Sequence, residues 1–515
     1  MNYKILYLSF VFSFAYFFSN AQHENDVWIT GYPANNDTMD YPDTGINKIF
    51  GNSFIDFRKS PTKITRNQKG LYFDVLNISI CDSMGDLLLY SNGYKLFNKY
   101  HKLIEGGDSM GNSSQFPDPD INGYYGSSKY GRANDRMLIL PRPNYPYQYY
   151  IYNFHMNYDT WRLKGEYHLY NFYYTLVDMK ANSGYGKVII KEKQILKGDF
   201  NPTIAACKHA NGKDWWIVLT DRQYQGGRKI YKILVDSEKM QEITSRDSLI
   251  VSDESIGSKF SLDGNHYTIA GYAGLMLYEF NRCTGKLSNG KIANYSEITD
   301  TAIPQYPCFS PNGKYIYLTL GGYVLYQFDV FNNFETSRMI VAKSDYKQDS
   351  LTLGYPSFSS LQYTPDRKKI IASSWINRFL HIIDNPDNRG VSCSVKLNAI
   401  SLPTFCTSIP HFPNYTLGAD TCYTNSVMEE IKQDFAIYPN PASHNIELRF
   451  STNNYIKAKV LITDMLGRIV YHQEKIVLDS KLEITTQNWS EGIYRVQVYK
   501  DKDLLHSAQL QITKP

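Results

Sequence analysis

Several short stretches of the 515-residue chain carry residue types and spacings that could do chemistry. Gly107-Asp108-Ser109-Met110-Gly111 has the G-x-S-x-G spacing of a nucleophile elbow. Such a serine works only where a strand leads into it, a helix follows, and an acid and a histidine come later in the chain. Here Asn112-Ser113-Ser114-Gln115 and a run rich in Pro and Asp follow, so a surface turn is expected and no catalytic residue is assigned. Asp118, Asp120 and Asn122, with Gly123 next, match the first half of a calcium loop. Lys129 stands where that loop needs a bidentate Glu, so these three are weak metal candidates beside the plainer reading of a solvated Asx turn. Otherwise no cofactor is expected. His209 and Asp214 flank a turn that leads into Trp215-Trp216, which reads as a satisfied turn and a packed tryptophan pair. Glycoside hydrolysis needs two facing carboxylates, and nothing in the sequence singles out one pair.

The seven cysteines are Cys81, Cys207, Cys283, Cys308, Cys393, Cys406 and Cys422. None has the spacing of a zinc site. An odd number leaves at least one unpaired within the chain. Cys283 would close one repeat and Cys308 open the next, so a Cys283–Cys308 bridge is expected, contributing about 3 kcal/mol through loop closure. Cys393–Cys406 is the second expected pair, with Cys406–Cys422 as its rival.

These residues need a scaffold, and the chain advertises one. Between Val27 and about Pro410 strand-like runs follow one another without amphipathic helices. A unit recurs: an apolar residue, a turn with Asp or Asn and Gly, then two apolar strands. Copies begin at Cys207, Lys259, Cys308 and Gln362, and align with Gly212, Gly264, Gly313 and Arg367 at the turn. The period of about 50 residues is that of a four-stranded propeller blade. Asn-Gly and Asp-Gly supply the positive φ of a tight hairpin. Looser copies begin at Cys81 and Pro143. The expected fold is all-β, a propeller of seven blades with six as the alternative count. The strands near Val27–Thr30 and Ser53–Phe57 are expected to pair with those near Val395–Phe405 and close the ring.

The ends of the chain read differently. Asn2 to Lys4 is short, polar and singly charged, Ile5 to Phe18 is apolar, and Ser19-Asn20-Ala21 is small. This is the pattern of a cleaved secretory signal, with the cut expected between Ala21 and Gln22. No later run is apolar enough to be expected to span a membrane. Residues 413–433, rich in turn formers, read as a linker after a propeller at 22–412. Residues 434–515 hold about seven short alternating strands, which suits a small immunoglobulin-like β-sandwich. The net charge of +4 has both signs interspersed, so nucleic acid is not an expected partner. The 44 Tyr suit a β-rich exported protein or a surface that stacks on sugars.

Three resemblances follow from these residues. The "FSPNGKYIYL" type of repeat resembles the propeller repeats of WD-like and TolB-like proteins, which implies fold and no activity. "FAIYPNPASHNIELRF", "VLITDMLGRIVY" and "NWSEGIYRVQVYKD" resemble the type A sorting domain of the type IX secretion system, carried here by Tyr438, Pro439, Asn440, Pro441, Asp464, Gly467, Arg468, Gly492 and Tyr494. That resemblance implies recognition by an outer-membrane translocon, removal of the domain after transit, and release or surface attachment of the cargo. "ISICDSMGDLLLYSNG", "HANGKDWWIVL" and "IPHFPNYTLG" resemble secreted propeller proteins that carry such tails, with no activity to transfer. The expectation is therefore a secreted or cell-surface cargo whose propeller binds a glycan, peptide or surface partner without catalysis. A polysaccharide hydrolase and a structural cell-surface protein are the alternatives.

Overall fold

The computed structural model describes residues 23–32, 49–67, 71, 73, 76–110, 137–156, 169–222, 229–243, 255–295, 304–346, 356–374, 377–420, 435–450, 456–464, 468–478, 481–500 and 503–514. The chain divides into two compact units, Met1–Cys422 and Tyr423–Pro515. Each is described by itself.

In the first unit every strand pairing within a sheet is antiparallel between neighbours in sequence, so local hairpins build all the sheets. The first sheet holds β1 (Val27–Tyr32), β2 (Gly51–Asp56) and β3 (Lys63–Asn67); the second holds β4 (Ile78–Cys81), β5 (Leu87–Ser91) and β6 (Leu96–Asn98). Next come β7 (Leu138–Pro141), β8 (Gln148–Met156), β9 (Leu169–Asp178), β10 (Lys187–Lys208), β11 (Trp215–Asp221), β12 (Ile230–Val235) and β13 (Met240–Ile243), in one seven-stranded sheet. The continuous strand β10 explains its width. Residues from Lys187 to Phe200 pair with β9, and those from Phe200 to Lys208 pair with β11. Its first half is thus the outer strand of one blade and its second half the inner strand of the next. Three four-stranded sheets follow: β14 (Ser255–Phe260) to β17 (Leu287–Asn294) through β15 (His266–Gly271) and β16 (Gly274–Phe280); β18 (Pro304–Phe309) to β21 (Met339–Lys343) through β19 (Tyr315–Leu320) and β20 (Val324–Asp329); and β22 (Leu361–Tyr363) to β25 (Val395–Cys406) through β23 (Ile370–Ala372) and β24 (Asn377–Ile383).

With the wide sheet divided at β10, the described strands form seven groups. Each group touches the next, and β25 of the last returns to β1, β2 and β3 of the first, so the unit is a closed β-propeller. Stacking between two neighbours buries both faces of a middle strand. That is why β11 reads Trp-Trp-Ile-Val-Leu-Thr-Asp and is buried throughout, whereas the outer strand β17 is largely open to solvent. Indole N–H groups tie the stack together. Trp215 Nε1 donates to the Pro141 carbonyl at 3.2 Å and Trp216 Nε1 to the Arg282 carbonyl at 2.7 Å.

The blade turns match the repeat. Gly212, Gly264 and Gly313 lie at φ 71°, 74° and 72°, and Arg367 takes the same left-handed conformation at 57°. Ser261, Ser310 and Thr364 each turn a hydroxyl onto the Asp or Asn two residues later, with Oγ–O distances of 2.5, 2.8 and 2.6 Å. Ring closure departs from expectation. β1–β3 form their own sheet and β25 pairs with β24, so among the described residues no shared ladder joins first and last groups. The join is made by side chains instead: Ser53 Oγ meets Thr404 Oγ1 at 2.6 Å, and Phe50 packs edge-on to Phe405 at 5.4 Å.

The expected disulfide pairs are also corrected. Cys308, Cys393 and Cys406 are buried and not in disulfides, as are Cys81 and Cys207, so neither Cys283–Cys308 nor Cys393–Cys406 forms, and Cys406–Cys422 is excluded with them. The reason is direction. Cys308 and Cys393 point into the apolar cluster of Tyr317, Phe358 and Ile370 between the last two groups. Burial pushes the thiols of Cys81, Cys207 and Cys406 up to about 12.

The second unit has β26 (Phe435–Tyr438), β27 (Asn445–Phe450), β28 (Ile456–Asp464), β29 (Ile469–Leu478), β30 (Lys481–Thr485), β31 (Gly492–Lys500) and β32 (Asp503–Ile512). They form one sheet of order β26-β27-β30 and another of order β29-β28-β31-β32. Ile446, Leu448, Val460, Ile462, Ile484, Val496, Val498 and Leu510 share one core, as facing sheets of a sandwich do.

Candidate functional site

A ring of blades encloses an axis, which is the natural concave place for a ligand. Here the chain itself occupies it. After β25, residues 407–420 touch most of the groups. Thr30 Oγ1 donates to the Ser408 carbonyl at 2.6 Å, the His411 N–H donates to the Asn77 carbonyl at 3.2 Å, and Tyr415 OH donates to the Ile139 carbonyl at 2.8 Å. Asn414 Nδ2 donates to the Leu262 carbonyl at 2.7 Å, Arg282 Nη2 to the Gly418 carbonyl at 2.6 Å, and the Asp420 N–H to the Ala210 carbonyl at 2.8 Å. Ile409, Phe412 and Tyr415 join the main core with Trp28, Ile139 and Trp215. Pro413 to Asp420, expected in the linker, therefore belong to the propeller, and the units divide after Cys422.

The charged groups along the axis serve this segment. Lys259 is buried, and its Nζ donates to Gln362 Oε1 at 2.7 Å and to the Phe412 carbonyl at 3.1 Å. Burial, and after it the Lys259 charge, holds the His411 imidazole well below its usual range, so it is neutral. Burial raises Glu24 and lowers Lys208 and Arg367, three groups whose charges offset one another at one end of the axis. A carboxyl held toward its protonated form could act as a general acid. Glu24 Oε2, however, is shut away from solvent, with no hydrogen-bond partner among the described residues.

A cavity of about 490 Å³ opens at the seam between first and last groups, floored by Phe57, Ile371, Ile382 and Ile400 and edged by His23, Arg58, Asp366 and Lys369. Its size suits a small ligand.

The other sequence candidates resolve simply. Ser109 lies in a bend at φ 48°, and among the described residues no histidine is hydrogen-bonded to it. His209 Nε2 meets the Cys283 carbonyl at 3.1 Å, and Asp214 accepts from Asn211 Nδ2 at 2.6 Å, so both belong to the blade turn. Asp118, Asp120 and Asn122, the cleavage residues Ala21 and Gln22, and Gly467 lie outside the described residues. No group of three or more potential metal ligands occurs among the described residues.

In the sandwich the motif residues hold its edges. Asn440 bridges to β32: its Nδ2 donates to the Gln509 carbonyl at 2.7 Å and its Oδ1 accepts from the Gln511 N–H at 2.9 Å. Pro439 and Pro441 cannot donate, and the asparagine between them supplies this link. Asp464 accepts from the Arg468 N–H at 2.9 Å and from its Nε at 2.7 Å, closing the β28–β29 hairpin. Tyr494 OH donates to the Ser490 carbonyl at 2.7 Å. Tyr438 stands out into solvent, its ring 5.1 Å from the Arg449 guanidinium. A Cβ at Gly492 would meet no atom of the described residues within 4 Å.

These features define a β-propeller followed by a small β-sandwich. Residues 436–512 match the family model of the secretion system C-terminal sorting domain. The chain thus carries a type IX sorting domain, which marks it for export to the cell surface or medium through the type IX machinery. No helix among the described residues is long and apolar enough to cross a membrane. No curated protein matches the chain. Among solved structures, a protein from Lactobacillus plantarum aligns at 11% identity over 75% of this chain and 99% of its own, with a TM-score of 0.41. A functionally unknown protein from Desulfotomaculum acetoxidans aligns at 16% identity over 75% and 99%, with a TM-score of 0.39. The β-propeller domain of Cps50 (Swd1) from Myceliophteria thermophila aligns at 10% identity over 68% and 94%, with a TM-score of 0.35.

Proposed function

We propose that the propeller is a non-enzymatic recognition disc that the sorting domain delivers to the cell surface, where it binds a glycan, peptide or surface partner. The observation that supports this reading is the axis filled by residues 407–420. A ligand is left with the faces and the seam, where rigid blades present exposed turns. A screen of glycans, peptides and cell-surface extracts with residues 22–433 tests it. Specific capture by the folded protein is the expected result; silence across the screen counts against it, and hydrolysis of a polymer abolished by one carboxylate substitution replaces it with the hydrolase reading. Delivery has its own test. A chain ending at Lys432 is expected to remain in the periplasm on fractionation, and surface delivery of that chain would overturn the role given to the sandwich.

A further inference from the structure

Three turns of the second and third groups meet in one continuous surface. Residues 98–103 follow β6, residues 142–147 join β7 to β8, and residues 179–186 join β9 to β10. Two hydrogen bonds hold them together: Asn98 Nδ2 donates to the Tyr185 carbonyl and the Met179 N–H to the Tyr147 carbonyl, each at 2.9 Å. Four tyrosines stand out from these turns, Tyr100, Tyr145, Tyr147 and Tyr185, exposed by 54%, 42%, 47% and 40%. Each has a cation over one face of its ring. Lys99 Nζ lies 5.6 Å from the Tyr100 ring, Lys102 Nζ 5.2 Å from Tyr185, Lys180 Nζ 3.6 Å from Tyr147, and the Arg142 guanidinium 3.9 Å from Tyr145. The rings of Tyr100 and Tyr185 are 5.3 Å apart.

The nearby carboxylates do not neutralise this strip. Asp178 is occupied by Gln148 Nε2 and by the N–H groups of Lys180 and Ala181, and Glu105 is paired with Lys187. Lys99, Lys102 and Lys180 have no carboxylate partner among the described residues. A ring with a cation over one face keeps its other apolar face beside a positive charge. A pyranose presents the complementary pair when it carries an acid group: C–H bonds on one face for the ring, and an anion at its edge for the cation.

We propose that this strip binds an anionic polysaccharide, a uronate or sulfated pyranose polymer, laid across the turns so that sugars stack on the tyrosines and acid groups meet the lysines. The proposal rests on the reading of the propeller as a recognition disc and names its ligand class. Nucleic acid shares the stacking and the charge, but the chain has a net charge of only +4 and is addressed outside the cell.

The test measures binding of the full chain to alginate, dextran sulfate, neutral dextran and an oligothymidylate. The expected result is salt-sensitive binding to alginate or dextran sulfate, none to dextran, and a loss of about tenfold for each of Tyr185→Ala and Lys180→Ala, with unfolding midpoints unchanged because both side chains are exposed. Which of the two acidic polymers binds separates carboxylate from sulfate recognition. Acidic-polymer binding that neither variant weakens would overturn the strip and leave the recognition disc standing. A preference for oligothymidylate overturns the glycan assignment. Silence on all four polymers overturns the proposal, and the wider ligand screen then decides the recognition reading separately.

Discussion

Ending the propeller at Thr407 instead of Asp420 should unfold it. The shorter chain loses Ile409, Phe412 and Tyr415, which are only 1–3% exposed in the structure. Burying an apolar side chain of this size contributes roughly 1.5–3 kcal/mol, so the three together supply about 5–9 kcal/mol. The cut also strips Lys259 of the Phe412 carbonyl and leaves Thr30, Asn77 and Leu262 without the partners they have in the segment. A typical domain is stable by only about 5–15 kcal/mol, so the loss is comparable to the whole. Two chains, residues 22–407 and 22–420, can be compared by urea unfolding followed through tryptophan fluorescence. The probes are well placed, because Trp28 lies 6.0 Å from Phe412 and Trp215 lies 6.0 Å from Tyr415, ring centre to ring centre. Phe412→Ala in the longer chain gives the graded version, an expected loss of about 3–5 kcal/mol. If residues 22–407 unfold cooperatively at the same urea concentration as residues 22–420, the segment is an ornament and the account of the axis is wrong.

Other expectations concern single residues. His381 Nδ1 accepts from the Asn398 N–H and its Nε2 meets the Ser357 carbonyl, an arrangement that needs the neutral ring, and burial lowers its pKa from 6.5 to about 4. Its folded pKa is depressed, so the stability it contributes is complete above pH 6.5 and is lost as pH falls toward 4, a loss of about 3 kcal/mol; urea midpoints between pH 7.5 and 4 should show the slope, and His381→Gln should flatten it. Gly264→Ala should cost clearly more than Gly313→Ala in thermal melts. Both glycines have φ near 70°, but a methyl at Gly264 would lie 2.7 Å from Cys207 Sγ whereas that at Gly313 meets nothing; the strain alone is worth about 1–2 kcal/mol. Cys81, Cys207 and Cys406 should resist a thiol reagent at pH 8 and label only in denaturant; prompt labelling of the native protein would contradict their burial.

The blade repeat was legible because turn chemistry is local. A hydroxyl, an Asx two residues on and a left-handed residue next fix a hairpin wherever they occur, and even Arg367 could be placed by alignment with the glycines. The Asp464–Arg468 turn is local in the same way, whereas Asn440 was legible only through the family motif, because its partners lie 69 and 71 positions away. The axial segment was not. "IPHFPNYTLG" has two prolines and no alternation, and the partners of its surroundings lie up to 378 positions away, so from Pro413 onward it reads as a linker. The cysteines misled in a related way. Equal phase in two repeats shows that residues occupy equivalent places, but not whether those places face a partner sulfur or an apolar core, and for Cys308 it is the core. The tyrosine strip joins three turns whose nearness depends on how two blades stack, which spacing along the chain does not reveal.

The length of those contacts also sets the order of events in the life of the chain. Thr30 waits for Ser408, and Ile139 for Tyr415. Early blades can form their hairpins as they appear, but the ring has no centre until almost the whole body is available. Contacts of such separation make folding slow. A chain that must be moved before it sets would gain from keeping its keystone at the end of the propeller.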